Sequence, residues 1–282
     1  MFFDKIFPRE IENAKKNHTP VVLVGGTVEY HGPHCSYGCD TLIAQGLVEK
    51  LAEEKEIIIA PTISYSPSSW AVGDETTGTV HIPENVFEEY VYHTFMSMLN
   101  AGLHNIYVVI HHQFEQENLM PMTLCYKKAA KRAEMAYMEQ THGRGWWGSE
   151  SYKDYYENLG GNDDPFSRIK VIPTMSTEVQ NSTGYDHAGK YECSILMSLY
   201  PDCVQLDRIV SLSGSGIPLR FKAIADKFAS DPAAMKQAGI AYATDQIIDL
   251  IASGVNNIHI YTMNKPDIAQ SIMSNLSDII GK

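Results

Sequence analysis

Short apolar runs recur along this chain and alternate with segments whose apolar positions follow a helical period. Val21 to Val24, Ile57 to Ala60, Ile106 to Ile110 and Lys170 to Pro173 each precede a loop and then an amphipathic stretch. Such alternation predicts a mostly parallel sheet covered by helices on both faces. One helix is predicted from Asp40, ahead of Leu42, Ile43, Leu47 and Leu51. The next follows Pro83 and carries Val86, Tyr90, Phe95 and Leu99; a third runs from about Asn118 to Tyr137. Residues 141–168 break the alternation, and their aromatic content, from Trp146 and Trp147 to Phe166, suits a lid or interface element better than a disordered spacer. One or two further helices are expected between Ile224 and Ile251, with a last strand at Ile258 to Tyr261.

The chain has 282 residues, enough for one large α/β domain, which is the organisation expected here. Its 34 acidic residues exceed its 22 basic ones and give a formal charge of -12, so a nucleic-acid surface is not expected, while small molecules and cations are. No apolar run is long enough to cross a bilayer, and Asp4, Arg9 and Glu10 interrupt the start of the chain, so a cytoplasmic location is expected. Five scattered cysteines, Cys35, Cys39, Cys125, Cys193 and Cys203, fit reduced thiols better than a disulfide framework. Cys35 and Cys39 are close together, but no second Cys/His pair has zinc-finger spacing.

Candidate chemistry gathers at three places. The first is Gly25 to His34, directly after an apolar run, where Glu29 and His31 project to one side of an extended stretch and Asp40 follows. Asp40 reads either as a plain helix N-cap or as a residue closing back onto that pair. The second is His111-His112-Gln113-Phe114-Glu115-Gln116-Glu117-Asn118 after the third run. Parallel neighbouring strands would bring both clusters to one sheet edge, where open α/β sheets bind ligands. His111 also suits an ordinary polar strand end, and Glu115 and Glu117 a helix N-terminus. The third is Thr183 to Ser194, with His187 near Gly184 and Gly189, placed as an acid or base or as a turn residue. Imidazole and carboxylate donors without thiolate suit Zn, Mn or Fe. Two such cations would lower the pKa of a shared water and polarise a carbonyl, which implies hydrolysis.

These motifs together resemble the creatininase family, which shows Glu-x-His-Gly-x-His and a following Asp, a strand-end His near a Glu or Asn, and His-Ala-Gly-x-x-Glu. Here they are Glu29, His31 and Asp40; His112 with Glu117-Asn118; and His187 to Glu192. The resemblance implies a three-layer creatininase-like α/β fold, often hexameric. It implies two divalent metal ions, one on Glu29 and His112, the other on His31 and Glu117, with Asp40 bridging. Glu115 is the alternative to Glu117, which is preferred because Asn118 and a helix follow it. His187 becomes a proton carrier supported by Glu192. Gln113, Tyr185, Asp186 and Thr79 fall where substrate contacts are expected.

Departures from the family pattern lie at Cys35-Ser36, where members often have Leu-Pro, and at Ile110-His111-His112, where they have Asn-Gly-His. The main reading is a dinuclear hydrolase in which metal-bound hydroxide attacks a carbonyl of a small, cyclic polar substrate with C–N cleavage. A second reading keeps the site but opens a cyclic diketone, such as a diketo-inositol, by C–C hydrolysis. A reading of another class is a non-catalytic, cation-dependent binding protein.

Overall fold

The strands β1 (Val21–Gly25), β2 (Ile58–Ile59), β3 (Ile106–Ile110) and β4 (Ile169–Pro173) pair in parallel in the order β2-β1-β3-β4. The computed structural model describes residues 1–70, 72–112, 120–150, 164–176, 178, 187–208, 227–228, 230–252, 257–258, 260 and 265–280. The chain divides into two compact units, Met1–Ile209 with Ser213–Ser215, and Val210–Leu212 with Gly216–Lys282.

In the first unit the sheet has helices on both faces because its strands are apolar on both. Val21, Leu23, Ile106, Val108 and Ile110 pack with Phe87, Val91, Phe95 and Leu99 of α3 (Glu84–Asn100) and with Tyr126, Ala129 and Ala133 of α4 (Pro121–His142). On the other face Val22, Val24 and Ile59 meet Ala44 and Val48 of α2 (Cys39–Glu54). α1 (Pro8–Asn17) adds Ala14 to the first core. Burying apolar side chains on both faces is what selects this layered arrangement over an open sheet.

The predicted helices form, but two of them bury a neighbouring stripe. On α3, Phe87, Val91, Phe95 and Leu99 recur every fourth residue and face inward, whereas Val86 and Tyr90 are exposed. On α2, Ile43, Ala44 and Val48 are buried, and Leu47 and Leu51 are exposed. On this face the small Ala44 and the branched Val48 pack against Val22, Val24 and Ile59 at the seam. α4 extends to His142, beyond the expected end at Tyr137. After it, buried Trp146 stacks on Trp147 at 5.6 Å and lies 5.9 Å from Phe166, so the described ends of the aromatic segment pack on each other. Asn118 and residues 151–163 fall outside the described residues.

The strand order turns at β1: β2 lies on one side of it and β3 on the other. That reversal opens a crevice past the carboxyl ends of β1 and β3. Register sharpens it, because Gly25 lies opposite Ile110 and Ile110 opposite Pro173, so three loops leave the sheet at one level. α5 (Lys190–Leu199) packs on α2 through Leu196 and Cys193 against Cys39 and Ile43.

In the second unit, α6 (Pro232–Ala252) and α7 (Pro266–Asn275) share an apolar cluster of Ile247, Ile272 and Leu276, and the short α8 (Ser277–Ile280) follows Leu276. Of the expected last strand, Ile258 and Ile260 are described and neither lies in a strand; Tyr261 is outside the described residues.

Candidate metal centre

The loop after β1 is held tightly before any ligand is placed. Gly26 passes so close to α2 that an added Cβ would lie 2.6 Å from the Thr41 backbone, and Thr41 Oγ1 donates to Thr27 O at 3.1 Å. Glu29 N donates to Tyr37 O, and Val80 N to Val28 O. The Thr79 hydroxyl accepts from Tyr30 N at 3.0 Å and donates to Val72 O at 3.1 Å. Thr79 thus fixes the residue between Glu29 and His31.

Asp40 is not the N-cap of α2. Gly38 occupies that position, and Asp40 sits in the first turn with its carboxylate fully buried and turned to imidazoles. Its Oδ2 lies 3.3 Å from His112 Nδ1; its Oδ1 lies 3.4 Å from His31 Nε2 and 4.0 Å from His111 Nε2. His112 Nδ1 is also 3.6 Å from Glu29 Oε1. Glu192, in the first turn of α5, brings Oε1 to 3.4 Å from His111 Nε2 and Oε2 to 3.8 Å from His31 Nε2. The centre is therefore built from the ends of β1 and β3 and the first turns of α2 and α5.

Second contacts select tautomers. His31 Nδ1–H donates to Glu29 O at 3.0 Å, which leaves Nε2 as the atom facing the carboxylates. Among the described residues, the buried Glu29 Oε2, His31 Nε2 and Asp40 Oδ1 accept or donate no hydrogen bond, the last two making only ion-pair contacts of 3.4 to 4.0 Å. Such atoms cost roughly 1–3 kcal/mol each when left unpaired, and more when charged. The groups Glu29, Asp40 and His112, and Asp40, His111 and Glu192, each offer ligand atoms within 4.8 Å of one another and share Asp40. Each of these two groups offers a nitrogen and oxygen donor set that suits Zn, Mn or Fe, while His31 groups with Glu29 and His187 and with Cys39 and Glu192.

Charge follows the same logic. Burial works against a charged His31, but the Asp40, Glu192 and Glu29 carboxylates outweigh it and push its pKa up to about 10. His112 is likewise opposed by burial and lifted to about 8 by Asp40 and Glu29. Burial pushes Asp40 upward, yet His31 and His112 hold it well below the usual carboxylate range. Burial also opposes ionised Glu192, which His111 and His31 nevertheless keep low. Without a cation, protons on the imidazoles take its place among the carboxylates.

His187 Nε2 lies 3.0 Å from Glu29 Oε1, and its ring sits 4.1 Å from that of His31. Its side chain keeps 13% exposure, more than any other imidazole of the centre. Ala188 follows it with a positive φ of 51°, a strained setting for a residue with a Cβ. Glu192 Oε2 accepts from Ala188 N, and Ala188 O faces His34 Nε2 at 3.0 Å and accepts from Cys193 Sγ at 3.3 Å, so the strain is held from both sides.

Of the residues singled out from the sequence, Glu29, His31, Asp40, His112, His187 and Glu192 converge, and Thr79 lies under the loop that carries Glu29 and His31. Gln113, Glu115, Glu117, Tyr185 and Asp186 lie outside the described residues. The sequence reading missed the place of His111 beside Glu192 and Asp40; the signal for it was adjacency to His112 at the end of a buried strand.

Residues 6–254 match the creatininase family, described as creatinine amidohydrolase. The chain belongs to the creatininase family. A creatinine amidohydrolase of Pseudomonas putida is 24% identical over 216 residues, covering 76% of this chain and 75% of that protein. The solved structure "Creatininase Mn" aligns with a TM-score of 0.56 at 18% identity, over 74% of this chain and 77% of the other. A mutant creatininase of "Zn-Zn type" aligns with a TM-score of 0.54 at 18% identity, over 74% and 76%. At these identities the structures show that the chain has the creatininase α/β fold. Among the described residues no helix is long and apolar enough to cross a membrane.

Proposed function

We propose that this creatininase-family chain is a dinuclear metal-dependent hydrolase that opens an amide C–N bond in a small, cyclic polar substrate. The observation that carries this reading is the buried set of Glu29 Oε2, His31 Nε2 and Asp40 Oδ1, none of them hydrogen-bonded among the described residues, around one shared carboxylate. By the family resemblance, Glu29 and His112 would hold one ion and His31 and Glu117 the other, with Asp40 as the carboxylate both would share. Bound there, two divalent ions would supply an activated water and a polarised carbonyl.

The chain's own groups orient and protonate. Asp40, buried and charged, balances both sides of the site. His187 is partly open to solvent next to Glu29 and carries a proton to the leaving nitrogen. Glu192 supports it by fixing the N–H of Ala188, the next residue. Thr79 serves the substrate side by holding Tyr30 and Val72, and Gln113, Tyr185 and Asp186 contribute substrate contacts. A cyclic amide is preferred because the matching relative is named a creatinine amidohydrolase. The assembly expected is a homo-oligomer, a hexamer by resemblance.

The test is metal content with a product screen. Two divalent ions per chain, loss of turnover on chelation, and ring-opened product from lactams or formamides support the reading. A chain with no bound metal and no gain on adding Zn, Mn or Fe overturns it, and product from keto-polyols alone moves the cleaved bond from C–N to C–C.

A further inference from the structure

His111 stands out because two independent contacts fix its ring. Nδ1 hydrogen-bonds with Thr174 Oγ1, and Thr174 is itself anchored at the end of β4 through its N–H to Ile110 O. On the other side, Nε2 lies 3.4 Å from Glu192 Oε1 and 4.0 Å from Asp40 Oδ1. With Nδ1–H donating to the Thr174 hydroxyl, Nε2 turns a lone pair toward two carboxylates. In that tautomer a cation between them takes the place of the hydrogen bond that Nε2–H would otherwise donate to Glu192 Oε1.

Resting on the metal reading above, we infer that His111 ligates the cation on the Oδ1 side of Asp40 through Nε2, with Glu192 as a second carboxylate ligand and Thr174 as the group that orients the ring. The donor atoms of Asp40, His111 and Glu192 lie within 4.8 Å of one another, and buried Asp40 Oδ1 has no hydrogen bond among the described residues. His31 Nε2 reaches the same oxygen at 3.4 Å and Glu192 Oε2 at 3.8 Å. The Oδ1 side thus gathers two imidazoles and two carboxylates, a donor set of nitrogen and oxygen suited to a first-row divalent ion. The Oδ2 side keeps Glu29 and His112. Glu192 then has two duties, one oxygen near the ion and one on Ala188 N. A ligand imidazole held by a hydroxyl at its far nitrogen has the orientation and tautomer that ligation needs. The competing arrangement has Thr174 donating to Nδ1 and Nε2–H donating to Glu192, with no role for an ion.

The experiment is a Co(II) titration of the full chain, read by metal stoichiometry, affinity and the visible d–d absorption. The wild-type chain is expected to take two ions, and His111→Gln to keep one while binding the other at least about tenfold more weakly, with altered d–d bands. Thr174→Val is expected to weaken that same ion by about 10- to 100-fold, and Thr174→Ser to restore it. If His111→Gln fails to fold, the Thr174 pair carries the test. Wild-type stoichiometry, affinities and spectrum in His111→Gln or in Thr174→Val overturn the inference and leave the metal reading standing. A wild-type chain that takes up no cobalt overturns the metal reading as well.

Discussion

Two buried clusters of potential ligands lie side by side at the start of α2. Around Asp40 the potential ligands are imidazoles and carboxylates, several of their atoms without a hydrogen bond among the described residues. On the other flank, Cys35, Cys39, Cys193 and Cys203 gather with Ile43, Leu196 and Val204, and Cys35 Sγ sits 3.4 Å from Cys193 Sγ. The second cluster lacks the electrostatic need of the first. Contact with Cys35 and burial push the Cys193 thiol far up; Cys35, drawn down by Cys193, is raised by Cys39 and burial to about 12. A protonated thiol is a small apolar group that packs without a counter-ion. Buried carboxylates and imidazoles do not share that freedom, so although Cys39 lies within ligand reach of His31 and Glu192, a cluster of buried charges contrasts with one of packed thiols.

The largest expected break of this contrast is Asp40→Ala. One carboxylate serves both ligand groups, so its loss is expected to remove both ions, measured as metal per chain after gel filtration. Full metal content in that variant would mean the remaining imidazoles and glutamates hold both ions without Asp40. Next comes His187→Asn, which keeps fold and metals but lowers kcat by about 10²- to 10⁴-fold if His187 moves the proton. An unchanged kcat at full metal loading makes His187 a structural residue.

A smaller effect concerns pH. The raised His31 and His112 stabilise the metal-free chain fully below the ordinary imidazole value of 6.5, and that stability drains as pH rises through about 8 and then about 10. The lowered Asp40 and Glu192 act oppositely: their contribution is present above 3.8 and 4.5 and is lost as pH falls below those values. The chelated protein is therefore expected to have its highest Tm between about pH 5 and 6.5, falling toward pH 10, while the metal-loaded form holds its Tm over that alkaline range. Parallel Tm curves for both forms count against cation and proton sharing one site. The smallest effect is Cys193→Ala, expected to cost about 0.5–3 kcal/mol of stability and to leave metal content unchanged. Loss of an ion there makes the thiols part of the metal centre.

Much of this molecule was legible before folding. The apolar runs locate all four strands of the sheet, and the parallel pairing follows from helices between them. Glu29, His31, Asp40, His112, His187 and Glu192 are recognisable as residue types at strand ends and motif positions. Less legible were the helix faces. Val86 and Tyr90 match a helical period as well as Phe87 and Val91 do, and only the sheet opposite decides which stripe is buried.

Sequence by itself therefore determined the layered α/β architecture and which side-chain types stand at the strand ends, because hydrophobic period and residue type are local properties of the chain. Tertiary structure decided the pairing of donors. Asp40 faces His31 and His112 instead of capping its helix, His111 turns to Glu192, and Cys193 joins Cys35, because strand register and the packing of α5 on α2 set these distances. No local pattern encodes them, since each contact joins segments far apart in sequence whose approach is fixed only when both faces of the sheet are buried.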